Sequence, residues 1–422
     1  METGPAVITT KQLAQSIRIS LTENGLFDEK RTIGKFNDCV DTVAVPCIPP
    51  MRTDGDTSLL KQTGISIEGK HYEIVNVELP VSKQSRNKNT LKQLETALLE
   101  LISSVTTIMS NGKNIEKSNE IDVEKLKRDV PRNWEVRGNL ALIDEKYLQE
   151  SIWKEFGDEL WKTICKVLNV TKIALKSVVS TDGFRTPQVK LVYGEDSWVQ
   201  HTDNRIKYCY DVTKCMFSSG NITEKLRVSS FPCSGETVVD LYAGIGYFTL
   251  PYLVHAGASF VHACEWNPDA VAALKRNLTL NKVANRCQIH EGDNRTIDLI
   301  DIADRVNLGL IPSSEDGWPV ACRLLKRKSG GILHVHQNVA SKPSNHDSEL
   351  DTEQKISKSD DKKSEVSRIW TQWALRTASV IKHMLESLHK TEWNTNVLHI
   401  EHVKSYAPHV DHLVLDLECR PT

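Results

Sequence analysis

The sequence predicts an α/β fold, in which an open nucleotide-binding sheet is preceded by smaller α+β domains. The first observation is local. An apolar run (Val238, Val239) ends in Asp240, a turn holds Gly244 and Gly246, and a helical segment follows from Phe248 to about His255. The second is a succession of acids. Runs at Phe260 to Cys264 and Cys287 to His290 end in Glu265 and Asp293, and Glu265 lies 25 residues after Asp240. Acids at successive strand ends mark the edge where open α/β sheets bind ligands. The third is length, since 422 residues exceed one ordinary core and imply two or three domains.

Each part of the loop has a chemical reason. Glycines at 244 and 246 let the backbone turn sharply and approach a ligand closely. A carboxylate such as Glu265 accepts both vicinal hydroxyls of a ribose. The G-x-G spacing lacks the third glycine of the dinucleotide fingerprint, and Tyr247-Phe248 fills the room a pyrophosphate needs. The pattern therefore speaks against NAD and for a nucleoside without a pyrophosphate linker.

Further along the chain, D-L-Y-A-G-I-G-Y-F, E-W-N-P and E-G-D-N are similar to the motifs of class I S-adenosylmethionine (SAM) enzymes that act on RNA. With C-M-F-S-S-G-N-I-T-E-K-L-R (Cys215 to Arg227) and L-G-L-I-P-S-S-E (Leu308 to Glu315), the chain from about Asp129 onward resembles the wybutosine-synthesising tRNA aminocarboxypropyltransferases. These are relatives of the tRNA guanosine N1-methyltransferases. The resemblance implies a Rossmann-like, class I SAM-dependent methyltransferase-like catalytic domain at 215–422. It also implies SAM as group donor and a tricyclic guanosine derivative, 4-demethylwyosine, beside the anticodon of phenylalanine tRNA as acceptor. It places Ser218 and Lys225 against the SAM. Gly244 and Gly246 are then the backbone cradle after Asp240, Glu265 the ribose acid, and Asp293 with the Asn294 amide the adenine readers. Lys225, aided by Ser218, is expected on the methionine carboxylate, which would be costly to bury unpaired.

SAM carries three electrophilic carbons on its sulfonium, so a site that binds the adenosine in the usual way can transfer a methyl or a 3-amino-3-carboxypropyl group. Enzymes that methylate amide or base nitrogens commonly carry N-P-P-Y or D-P-P-Y after the fourth strand. Here the stretch is Leu310-Ile311-Pro312-Ser313, without an acid, an amide or an aromatic ring. That disfavours the alternative of a tRNA guanosine methyltransferase. A second alternative, an idle SAM-fold protein that binds tRNA, is opposed by the intact acids and glycines. No base for the final proton is evident from pattern; Glu315 is a candidate by position.

The remaining segments read as follows. Residues 1–81 form a small α+β domain with a helix in Thr10 to Leu26 and strands at Thr42 to Ile48 and His71 to Leu79, expected to contact tRNA through the resemblance. Residues 82–128 read as a charged linker holding one amphipathic helix, Leu94 to Ile108; its first part, Ser82 to Lys92, has four cations and no acid. Residues 129–214 form an α+β middle domain with a helix near Ser151 to Leu168 and a hairpin turned by Thr202-Asp203-Asn204. In the catalytic domain, Asn221 and Glu224 fit a capping box. Trp318 to Lys328 reads as a helix, Ser341 to Val366 as a mobile polar insertion, Ser367 to Leu388 as a long helix, and the end as two strands around Pro408.

Composition bounds the partners. A net charge of −2 gives no overall pull toward nucleic acid, so an RNA site must be a local patch. Ten scattered cysteines include no C-x-x-C pair, which argues against a zinc knuckle or a disulfide framework. His334 and His336 share one strand face without an evident third ligand, so no metal is expected. No apolar run approaches the roughly 18 residues of a membrane span. No membrane partner is expected, and the expected location is the cytoplasm.

Overall fold

The computed structural model describes residues 1–23, 25–36, 41–48, 64–67, 70–110, 122–177, 187–217, 221–340 and 360–422. The chain divides into two compact units, Met1–Asn133 with Lys146–Asn169, and Trp134–Glu145 with Val170–Thr422. The units therefore cut the chain differently from the boundaries at 81, 128 and 214 read from sequence.

The first unit carries a five-stranded antiparallel sheet in the order Gly34–Lys35, Thr42–Pro46, Glu2–Thr10, Lys70–Leu79, Gly64–Ile67. The helix Ala14–Glu23 lays Ile17 and Leu21 on Val7, Val43 and Val45. The expected linker is largely helical. Lys83–Ser110 is one helix that buries Leu94, Leu98 and Ile102 and packs against the helix Asp158–Leu168. The buried stripe stabilises the middle of the helix, and each added residue then gains a backbone hydrogen bond, so helix extends back through the polar first turns. The helix expected over Ser151 to Leu168 breaks into Ile152–Glu155 and Asp158–Leu168, because Gly157 takes φ +49°.

The second unit holds the predicted open sheet. Its seven strands run in the order Cys287–Glu291, Phe260–Glu265, Thr237–Asp240, Arg305–Leu308, Gly331–Ala340, Val410–Pro421, Trp393–Ala407. The first five are parallel, and Val410–Pro421 runs antiparallel to both of its neighbours. Val238 and Val239 are both fully buried but belong to opposite faces. Val238 packs with Leu250, Leu253 and Leu274, whereas Val239 packs with Trp318, Ile381 and Leu415. Burial on both faces explains the near-continuous apolar runs that betray these strands. A four-stranded sheet (Trp134–Arg137, Leu140–Asp144, Lys172–Lys176, Val189–Tyr193) and the hairpin Trp198–Asp203/Ile206–Asp211 complete the unit.

Several expected boundaries move. The hairpin turns at Asn204-Arg205, both with positive φ (+47° and +63°), which leaves Asp203 as the last strand residue rather than a turn residue. The helix at Trp318 ends at Leu324, so Lys326, Arg327 and Lys328 lie beyond it. The long helix starts at Asp360, seven residues inside the expected insertion; residues 341–359 lie outside the described residues. Among the described residues no helix is long and apolar enough to cross a membrane.

Candidate active site

The loop after Thr237–Asp240 is built from the inside outward. Asp240 is fully buried and its carboxylate accepts from Thr249 Oγ1 (2.7 Å) and Asn307 Nδ2 (3.0 Å). Burial raises its pKa and those hydrogen bonds oppose the rise. Asp240 is thus a strut beneath the loop, with neither oxygen facing outward. Gly244 takes φ +54°, and a Cβ there would lie 2.5 Å from the Tyr247 ring. Gly246 takes φ +102° against Leu250 and Leu274. Glycine is the residue these conformations admit.

Glu265 is tied to the same loop. Its Oε2 accepts from the Gly244 backbone N–H (2.7 Å) and its Oε1 from the N–H groups of Trp266 (3.0 Å) and Asn267 (2.9 Å). Burial raises the pKa of the carboxyl, countered by these donors. Asn267 then caps the helix Pro268–Leu280. The carboxylate is therefore aimed by backbone, with lone pairs left for a diol. Asn277 is a residue the sequence reading missed. It is fully buried, donates to the Ile245 carbonyl (3.0 Å) and accepts from Cys209 N–H (2.7 Å), fastening the loop to the hairpin. An amide on the otherwise apolar inward face of that helix is the signal that would have found it.

Asp293 and Asn294 stand at the end of the neighbouring strand. The Asp293 carboxylate is spanned by Arg295 (2.6–3.0 Å), which holds its pKa below the usual range, while Asn294 Nδ2 donates to the Leu241 carbonyl (2.7 Å). Asp240, Gly244, Glu265 and Asn294 are thereby connected through hydrogen bonds to one loop.

Lys225 is buried and forms an ion pair with Asp203, and its Nζ sits 4.8 Å over the Phe217 ring and 5.5 Å over Tyr208. Phe217 in turn meets Tyr247 at 5.8 Å between ring centroids, which places Lys225 one ring layer from the glycine loop. Ser218 lies outside the described residues. The capping box does not form, because Asn221 makes no side-chain cap. Glu224 instead takes both nitrogens of an Arg227 fork (2.8 Å each), and Arg227 also holds Asp416 (2.5 and 3.1 Å). Burial pushes the Glu224 carboxyl up to about 7. It would raise Asp416 as well, but His334 and Arg227 hold that carboxyl well below the usual range. His334 donates from Nδ1 to Asp416 (2.7 Å) and accepts from Arg305 at Nε2 (3.2 Å), a neutral imidazole in a chain of charges. His336 pairs with His412, and no group of three ligands for a metal occurs among the described residues.

Glu315 is exposed. Its Oε1 accepts from Gln337 Nε2 (3.0 Å), and Gln337 Oε1 accepts from Trp373 Nε1 (3.1 Å). Its turn abuts the loop through Gly317, where a Cβ would lie 2.6 Å from the Tyr242 hydroxyl. No described contact joins Glu315 to Lys225.

Comparison with known proteins settles the lineage. Two family models match, the TYW2 N-terminal domain over residues 118–197 and the TRM5/TYW2 methyltransferase domain over 199–364. A Danio rerio protein described as tRNA wybutosine-synthesizing protein 2 homolog is 48% identical over 100% of both chains. The chain belongs to the tRNA wybutosine-synthesizing protein 2 family. A Homo sapiens member is 44% identical over 99% of this chain and 94% of its own. The P. horikoshii TYW2 structure in complex with MeSAdo is 26% identical, covers 75% of this chain and 98% of its own, and has a TM-score of 0.50. Trm5b from Pyrococcus abyssi, at 21% identity and a TM-score of 0.50 over 99% of both chains, shares the fold.

Proposed function

We propose that the chain transfers the 3-amino-3-carboxypropyl group of SAM to a ring carbon of 4-demethylwyosine beside the anticodon of phenylalanine tRNA. Transfer of this group from SAM to tRNA in wybutosine biosynthesis is the activity of the family. The observation that carries the reading is the 48% identity along the whole chain to a wybutosine-synthesizing relative. The loop fits the donor: Gly244 and Gly246 leave a cradle that a Cβ would fill, and Glu265 is aimed by three backbone donors. In this reading those residues hold the adenosine, Asp293 and Asn294 read the adenine, and Lys225 with Ser218 takes the carboxylate. SAM supplies the electrophilic methylene. Glu315, held by Gln337, is the group offered for the departing proton. The first unit contacts the body of the tRNA, and the reaction belongs to the cytoplasm.

The test uses phenylalanine tRNA from cells blocked before this step, with SAM labelled in the carboxyl or in the methyl group. Carboxyl label entering RNA is the expected result. Methyl label alone would make the chain a methyltransferase, and label from neither would leave a binding protein or a different RNA.

A further inference from the structure

We propose that Asp203 and Lys225 together form a clamp for an α-amino acid zwitterion, Lys225 taking the carboxylate and Asp203 the ammonium of the SAM methionine arm. The proposal rests on the function given above and adds the residue that reads the second charge of the transferred group. A 3-amino-3-carboxypropyl group carries one charge of each sign. A buried cation alone would leave the ammonium desolvated and unpaired.

The residues supply both signs at one place. Lys225 and Asp203 are ion-paired, with side-chain exposures of 4% and 17%. The lysine comes from the helix Ile222–Ser229 and the aspartate from the end of the strand Trp198–Asp203. Asp203 is fixed there by the two positive-φ residues of the turn that follow it. The lysine end of the pair lies over Phe217, which leads through Tyr247 to the glycine loop.

An independent observation points to a ligand at the same place. His201, two residues before Asp203 and so on the same strand face, packs edge-on against Phe217 at 4.5 Å. Both its ring nitrogens are buried without a hydrogen-bond partner among the described residues. A neutral imidazole always has one N–H to give, and buried polar atoms are rarely left unmet. The carboxylate of the bound arm is the partner we assign to that N–H.

Calorimetry with three ligands tests the clamp: SAM, decarboxylated SAM, which keeps the ammonium, and methylthioadenosine, which keeps the adenosine and lacks the arm. Asp203→Asn is expected to weaken SAM and decarboxylated SAM at least tenfold each and to change methylthioadenosine less than twofold. Lys225→Met is expected to weaken SAM at least tenfold and to spare decarboxylated SAM. If Asp203→Asn weakens SAM but not decarboxylated SAM, Asp203 only holds Lys225, and the clamp is overturned. Equal weakening of all three ligands by Asp203→Asn would overturn it too, by assigning the residue to the fold. Failure of the unsubstituted protein to bind methylthioadenosine would remove the cofactor reading itself, and the clamp with it.

Discussion

At the scale of residues, the site separates groups proposed to face a ligand from groups that hold those groups. Gly244 shows the difference most directly. Gly244→Ala forces a β-carbon into the Tyr247 ring at a positive φ, a strain of about 1–3 kcal/mol. It should lower SAM affinity at least tenfold while the far-UV circular dichroism stays native. Lys225→Ala should weaken SAM binding far more than Arg327→Ala by calorimetry, and equal affinities would refute the assignment of Lys225. The glycines and Glu265 were legible in the sequence because their demands are local: a positive φ, a strand end, a short spacing. Asp203 was not, since its partner lies on another element 22 residues away and a polar residue near a hairpin turn looks like a turn former. The same holds for Asp240. Its place in the motif was visible, but its inward bonds to Thr249 and Asn307 are not written in the spacing.

At the scale of elements, the helix Ile222–Ser229 is fastened by charge. Glu224, Arg227, Asp416, His334, Arg305 and Glu236 form one chain of contacts from that helix to the sheet. Breaking a buried pair leaves an uncompensated ion. Asp416→Asn should therefore cost about 3 kcal/mol in denaturant unfolding, and it should loosen SAM binding through Lys225 on the same helix. The sequence offered a simpler explanation for Glu224, a local capping box, and the distant arginine–aspartate pair prevailed because both carboxylates need a cation when buried. The helix Lys83–Ser110 makes the parallel point for packing. Leu98→Ala deletes a fully buried side chain and should cost about 2–5 kcal/mol, read as a lower midpoint in urea. Were residues 82–128 a linker, the same substitution would cost almost nothing.

At the scale of the whole molecule, buried histidines weaken the fold in acid, against the opposite pull of the raised carboxyls Glu224, Asp240 and Glu265. Burial is the leading cause that lowers the pKa of His201, His262, His290, His334, His336, His389 and His412, with His201 and His412 at about 4. A depressed folded pKa means that the unfolded chain binds more protons below the ordinary value near 6.5. Stability is then fully present above that value and lost as pH falls toward 4, by up to about 1.4 kcal/mol per pH unit for each fully depressed site. His412→Gln should make Tm fall less between pH 6.5 and 4 than in the unsubstituted protein; an unchanged pH dependence would exclude His412 from the effect. The parallel order of the central sheet was readable in outline from apolar runs and acids. The division into two units was not, because residues 146–169 return to the first unit without any shift in composition to announce it.

Strand order also has a consequence in time. The strand Val410–Pro421 lies inside the sheet, between Gly331–Ala340 and Trp393–Ala407, and it brings Asp416 to an arginine made 189 residues earlier. At about 5–20 residues per second of synthesis, Arg227 waits roughly 10–40 s for that partner. A nascent chain stalled before residue 416 holds the glycine loop, Glu265 and Lys225 with its Asp203 partner, yet the helix carrying Lys225 still lacks the Asp416 end of its charge chain. The charge chain that fastens this helix to the sheet is thus completed late in synthesis.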